Sequence, residues 1–440
     1  MVRIIKLSLL TLLAVTVFAG CSPKTIDQLY CLPKKSEEYT NLQSVIYGAM
    51  ASMEYCAPTT GEHQQNVQCA DLDGDGVGEY LVFARGTGEK PLRIFIFTGT
   101  GQEFSLLDTI ELNGTSFDQV EYIPMDHERG LEIVVGCKLS DQVIRAVSAY
   151  TLRSGQLEQL FSVNYTKFLS TDLNKNGLSE LMVLRPGDDG PAYGAAELFS
   201  AENGTVERSK EVAMSEPASH IKRIAKGGLT DGYNAVFVAS STGSDTIITD
   251  VYALVDGELT NVSLANSTGT NVQTSRNYYI YADDIDSDGI LELPGLIEMK
   301  LPEATAAAEN QHLIRWFSMA SDGTETDRLC TYHNFIGGWY LQLDSTLASR
   351  FCVFPKGSSY VFAIWDEDFT QTQTLVTIYV LTGQKREEQA LTDNRFVLHR
   401  TDSTVYAAKL EVASAAYGMS RDGMISSFHM ILRDWNTGET

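Results

Sequence analysis

Three nine-residue segments of this chain share one acidic grammar. They are Asp71-Leu-Asp73-Gly-Asp75-Gly-Val77-Gly-Glu79, Asp172-Leu-Asn174-Lys-Asn176-Gly-Leu178-Ser-Glu180 and Asp284-Ile-Asp286-Ser-Asp288-Gly-Ile290-Leu-Glu292. Each has side-chain oxygens at positions 1, 3 and 5, a Gly at 6 and a Glu at 9. That is the layout of a loop wrapped round a hard cation. Calcium takes roughly six to eight oxygens, which closely spaced carboxylates and amides supply together with a backbone carbonyl. The carbonyls placed for this are those of Val77, Leu178 and Ile290. The Gly permits the sharp turn that brings the Glu back to the ion.

The EF-hand is the nearest alternative grammar. It puts its glutamate three positions later and flanks the loop with helices. Here the first loop runs into Tyr80-Leu-Val-Phe83 and the second into Leu181-Met-Val-Leu184, short apolar runs that suit strands. Two to three calcium sites are therefore expected. In the first loop, Asp71, Asp73, Asp75 and Glu79 would repel one another without a cation. In the second, Asn174 and Asn176 lower the charge, so an ion-free Asp/Asn/Gly turn is the alternative there.

A second signal gives a period. Runs beginning at Ile94, Val147, Ala196, Val251, Leu313, Leu375 and Phe428 lead to turns at Gly101, Gly155, Gly204, Gly257, Gly323, Gly383 and Gly438. Those glycines are 49 to 66 residues apart, which is propeller-blade spacing. An apolar strand precedes each hairpin, at 80–84, 131–135, 181–184, 235–238, 293–297, 361–365 and 405–410. The expected fold is all-β: a seven-bladed β-propeller over 60–440, with six or eight blades as alternatives. Metal loops serve the first, third and fifth units, and degenerate loops stand near Asp126 and Asp231. The last unit stops short, so a strand at 64–69 is expected to close the ring.

With these loops, their spacing, and Tyr55-Cys-Ala-Pro58 and Gln65-Asn-Val-Gln68 upstream, the chain resembles integrin-α-type propellers with FG-GAP or VCBS-like repeats, in their bacterial lipoprotein form. The resemblance covers most of 37–440. It implies a calcium-stabilised propeller used for adhesion or as a binding scaffold, and no catalytic residues.

Residues 1–20 read as a leader. Arg3 and Lys6 precede an apolar core at 7–18, too short to span a bilayer. Phe18-Ala-Gly-Cys21 resembles a lipobox, which implies that Cys21 is lipidated and anchors the protein to the membrane on its extracytoplasmic face. An ordinary secretory signal is the alternative. Residues 21–35 form a tether, and Ser36 caps an amphipathic helix within 36–55. Six further cysteines lack metal-finger spacing; Cys330 and Cys352 are the pair to test first for a disulfide.

The formal charge of −24 argues against nucleic acid and against docking on anionic lipid by charge. No metalloprotease, nucleophile-elbow or phosphate-loop motif is present. Trp339, in a loop-like stretch, is the candidate for stacking on a ligand. The expected function is a monomeric, non-enzymatic module that binds an extracellular or envelope protein or glycan. The alternative is a propeller-type polysaccharide hydrolase or lyase, recognisable by convergent ionisable residues in a pocket.

Overall fold

A computed structural model describes residues 37–431, apart from 102, 140–143, 189, 203–204, 244–245, 265–271, 278–279 and 304–311. The expectations for the leader, Cys21, the tether, the Ser36 cap, Gly204 and Gly438 lie outside the described residues. The chain is all-β, with strands in several antiparallel sheets and few helices. It divides into two compact units.

The first unit contains one helix and one sheet. The helix spans Glu37–Met50 and ends where Ala51 turns left-handed, at φ 43°. Leu42, Ile46 and Met50 recur at helical spacing and are buried against Val82, Ala84, Phe95 and Phe97 of the sheet. Each such side chain contributes about 1.5–3 kcal/mol by leaving water. In the sheet, Glu54–Tyr55 and Val67–Ala70 both pair with Glu79–Arg85, followed by Leu92–Thr100 and Glu103–Leu112. The segment expected to close a ring therefore pairs within its own sheet, Val67 opposite Val82 and Ala70 opposite Glu79. A short acidic loop joins these two strands, so a local hairpin forms in place of a distant pairing.

The second unit holds five sheets in chain order, each beginning as an up-and-down meander. Ser116–Ile123, Glu132–Lys138, Arg145–Arg153 and Gln156–Tyr165 form one. Lys167–Thr171, Glu180–Gly187, Gly190–Glu202 and Thr205–Arg208 form the next, with Val212–Ala213 added. Ile221–Gly228, Asn234–Ser241, Ile247–Val255 and Glu258–Asn261 follow. Then come sheets starting at Leu293–Glu298 and Phe351–Lys356.

Consecutive sheets in this unit share cores. Val134 and Val147 pack with Leu181 and Phe199; Met182 and Leu198 with Val236 and Tyr252; Phe237 and Val251 with Leu293 and Phe317; Tyr332 and Trp339 with Phe362 and Ile378. The second strand of each sheet is thus covered on both faces, as the unbroken burial of Ile133–Cys137 and Leu181–Leu184 shows. Double coverage is why these strands read as continuous apolar runs and not as alternation.

Among the described residues there are six sheets, not seven. After Thr372–Thr382 the chain turns at Gly383, makes a one-turn helix at Arg386–Gln389 and returns as Phe396–Arg400 and Thr404–Leu410. The last of these pairs with Thr372–Thr382, Val376 opposite Leu410, so the expected seventh strand is an added strand of the sixth sheet. The run expected to open the last hairpin follows the helix Arg421–Ser427 and, as the strand Phe428–Met430, joins the edge of the fifth sheet at Trp339–Leu343. A β-rich run carries no label saying which sheet it extends.

Candidate metal centres

The loops ending at Glu132 and Glu180 connect the first two strands of their sheets, the first acidic loop joins Val67–Ala70 to Glu79–Arg85, and the third leads into Leu293–Glu298, the first strand of its sheet; a buried glutamate closes each. Glu79, Glu132, Glu180 and Glu292 are 1, 4, 2 and 0% exposed. In three of them Oε2 accepts a backbone N–H from seven residues earlier: Met125 to Glu132 at 2.8 Å, Leu173 to Glu180 at 2.8 Å, and Ile285 to Glu292 at 3.1 Å. This bond fixes the turn and commits one oxygen. Chemistry then depends on what meets the other.

The partners of Oε1 differ from loop to loop. Thr98 lies 3.5 Å from that of Glu79. Thr151 donates to that of Glu132 at 3.1 Å, while Arg153 pairs with the neighbouring Asp126. Asn174 Nδ2 donates to that of Glu180 at 2.6 Å. Glu292 Oε1 is buried with no hydrogen-bond partner, and the closest cation, Arg328 Nε, stands 4.0 Å away, beyond hydrogen-bond range. Burial raises the carboxyl pKa of Glu132 and Glu180, and lifts that of Glu292 to about 7.

The three loops share one backbone. Position 4 is left-handed in each: Gly74 at φ 71°, Lys175 at 61° and Ser287 at 64°. The glycine at position 6 follows at 90°, 85° and 87° for Gly76, Gly177 and Gly289. The first carboxylate ties the turn together: Gly76, Gly177 and Gly289 donate N–H to Asp71, Asp172 and Asp284, each at 3.0 Å. The substitutions that distinguish the loops therefore sit on a common scaffold.

Two clusters fit a cation. Asp71, Asp73 and Glu79 bring carboxylate oxygens within 4.8 Å of one another, as do Asp284, Asp286 and Glu292. All the donors are hard oxygens, which suits calcium. The orphaned Oε1 of Glu292 supports the fit, because a buried carboxylate oxygen without a donor is costly unless a cation meets it. Position 5 departs from expectation: neither Asp75 nor Asp288 is part of its cluster. Asp288 instead accepts the N–H of Ile290 at 2.9 Å and lies 3.4 Å from Arg328 Nη2.

The second loop forms no such acidic cluster among the described residues. Its amides link it internally: Asn174 Oδ1 accepts from Asn176 N at 2.9 Å, and Asn176 Oδ1 from Leu178 N at 2.8 Å. The degenerate loop near Asp231 holds a neighbouring turn, with Asp231 accepting from Ser321 Oγ at 2.6 Å. The cation-like roles of Asn174, Arg153 and Arg328 escaped sequence reasoning. Arg153 and Arg328 lie on later strands of their sheets, and nothing local in the sequence joins them to the loops.

Trp339 is not a ligand platform. It opens the strand Trp339–Leu343, is 0% exposed and packs on Tyr332, Tyr360 and Phe428. Cys330 and Cys352 are buried thiols that form no disulfide with each other, and Cys56 and Cys69 are also unbridged.

No family model matches the chain. No curated protein matches it. Solved structures that are similar include an exotype rhamnogalacturonan lyase, YesX, at 14% identity and TM-score 0.27 over 74% of this chain and 63% of that one. A Bacillus licheniformis rhamnogalacturonan lyase, PL11, shares 12% identity at TM-score 0.27, covering 73% and 62%. A third, rhamnogalacturonan lyase YesW, shares 13% at TM-score 0.25, with the same coverage. The chain thus spans about three fifths of each of those chains. At these scores the likeness carries no argument about activity.

Proposed function

We propose that the chain is a lipid-anchored, extracytoplasmic, calcium-stabilised propeller that binds a protein or glycan ligand without transforming it. Its six sheets act as blades in this reading, and the cations sit in the first and third acidic loops. The observation that carries the metal assignment is Glu292 Oε1, buried without a hydrogen-bond partner beside Asp284 and Asp286, with Arg328 no closer than 4.0 Å. Calcium there neutralises a triad of carboxylates and closes the turn ahead of Leu293–Glu298. Anchorage rests on Phe18-Ala-Gly-Cys21 alone.

The test is a melting curve of the full chain with calcium and with chelator. Calcium should raise the midpoint, and Glu292→Gln should remove part of the rise. A midpoint indifferent to chelator overturns the metal assignment. Processing at Cys21 is read separately: globomycin should block maturation, and Cys21→Ser should release the protein from membranes.

A second reading, a polysaccharide hydrolase or lyase, draws on one cleft whose lining includes Lys175, Lys226 and Tyr233, groups able to move protons. Incubating the protein with acidic polysaccharides, rhamnogalacturonan among them, distinguishes the readings. Appearance of reducing ends or of unsaturated uronate absorbance supports the enzyme; binding without product supports the module.

A further inference from the structure

Beside the second and third acidic loops lies a cleft of about 600 Å³ in the second unit, a size typical of small-ligand sites. Its lining mixes apolar surface, the larger share, with polar residues that include Thr171, Thr230, Tyr233 and Asn234, and two lysines, Lys175 and Lys226, are among the lining residues. Its two carboxylates are already engaged. Asp172 accepts from Asn176 and Gly177, and Asp288 accepts from Ile290 and faces Arg328. Lys226 Nζ gives one hydrogen bond to Ser170 O at 3.2 Å, which holds it in place with two donors to spare. Lys175 occupies the left-handed position that Gly74 fills in the first loop.

One wall of the cleft belongs to the third acidic loop. Gly228 N donates to Gly289 O at 3.3 Å, Leu291 N donates to Gly228 O at 3.4 Å, and Gly228 and Ile290 form a parallel bridge. The approach requires small residues: a Cβ on Gly227 would stand 2.3 Å from Leu291 Cγ. Gly289 and Ile290 are positions 6 and 7 of the loop whose carboxylates are Asp284, Asp286 and Glu292. Ordering that loop orders the wall.

We propose that this cleft binds a carboxylate-bearing oligosaccharide, with Lys175 and Lys226 meeting the carboxylates, and that a cation in the third loop is required for tight binding. The proposal rests on the calcium-stabilised reading for its metal half only. A hydroxylated, acidic chain offers both the apolar ring faces and the hydroxyl and carboxylate groups that a mixed surface with two lysines can meet. By linkage, the cation and the oligosaccharide raise each other's affinity by one factor.

The test uses the full chain and oligogalacturonate as probe, by calorimetry, in calcium and in chelator. Neutral galactose oligomers and poly-glutamate serve as controls. Oligogalacturonate should bind, and Lys226→Met with Lys175→Gly should weaken it by about tenfold or more, the usual scale for losing charge-assisted hydrogen bonds. Lys175→Gly suits the backbone, so the variant should keep its calcium-dependent melting shift. Glu292→Gln and chelator should each weaken binding with both lysines intact. Equal binding by the lysine variant, or by galactose oligomers, overturns the site. Tighter binding of poly-glutamate overturns the sugar assignment in favour of an acidic peptide. A calcium melting shift without oligogalacturonate binding sinks this proposal and leaves the module reading standing. Lysine-dependent binding indifferent to chelator, with no melting shift, sinks the metal half and the calcium reading together.

Discussion

Asn174 Nδ2 donates to Glu180 Oε1 at 2.6 Å, the position at which the equivalent oxygen of Glu292 has no hydrogen-bond donor. Two loops with one backbone thus meet the same buried glutamate in two ways. An amide closes the second loop from within. The third brings three carboxylates together, with Arg328 Nε 4.0 Å from the free oxygen. Neutral closure gives the second loop an internal partner where the third has none.

Asn174→Asp should therefore create a metal site. The change removes the donor to Glu180 and sets a new carboxylate beside those of Asp172 and Glu180, on the same backbone as the other clusters. In chelator the variant should be less stable than the parent, by roughly 1–3 kcal/mol for one buried carboxylate left unpartnered. In calcium the loss should be recovered. Isothermal titration should count one more site than the parent; an unchanged count refutes the equivalence of the loops.

Arg153 does the cation's work in the second sheet. It pairs with Asp126, beside Glu132, and both carboxylates are nearly fully buried. Arg153→Met should cost roughly 1–3 kcal/mol, less than for a wholly buried pair because the guanidinium is about a third exposed (32%). The same variant should melt higher with added calcium, by more than the parent does. If calcium affects the two proteins equally, Asp126 and Glu132 are a structural pair that cannot accept an ion.

How much of this was legible beforehand follows from the range of each interaction. The loops, their glycines and the closing glutamates are contiguous in sequence, so the turn scaffold was readable. The helix was readable because Leu42, Ile46 and Met50 keep their period. What was hidden needs pairing across the chain. Arg328 reaches Asp288 from a later strand, Leu410 returns to Val376, and Phe428 joins Leu341. None of these partners is marked by local composition. Trp339 misled because Gly337 and Gly338 before it suggest a loop, whereas they form the turn that inserts the indole into a core.

Removing core volume from a shared cluster should test whether neighbouring sheets fold together. Phe237 is 2% exposed and packs with Phe317 of the next sheet. Phe237→Ala should cost about 3–5 kcal/mol. Amide exchange should accelerate in both sheets. Faster exchange confined to 221–261 would mean that each sheet opens alone.

His333 supplies a pH signature that needs no metal. Its ring is buried, 4.9 Å from the ring of Tyr340 and nearly parallel to it, with Trp316 and Phe335 nearby. Burial disfavours the charged imidazolium and pushes the pKa down to about 3. Between about pH 6.5 and pH 3 the unfolded chain then binds a proton that the folded chain refuses, so stability rises with pH across that window and falls on acidification, by at most about 1.4 kcal/mol per unit. Carboxylates titrate in the same range, so the informative quantity is the difference between the parent and His333→Leu. Urea melts at successive pH values should show the parent losing stability relative to the variant below pH 6.5. Parallel pH profiles would mean that the imidazole is hydrated or charged in the folded state, and that the rings of Trp316, Phe335 and Tyr340 do not enclose it.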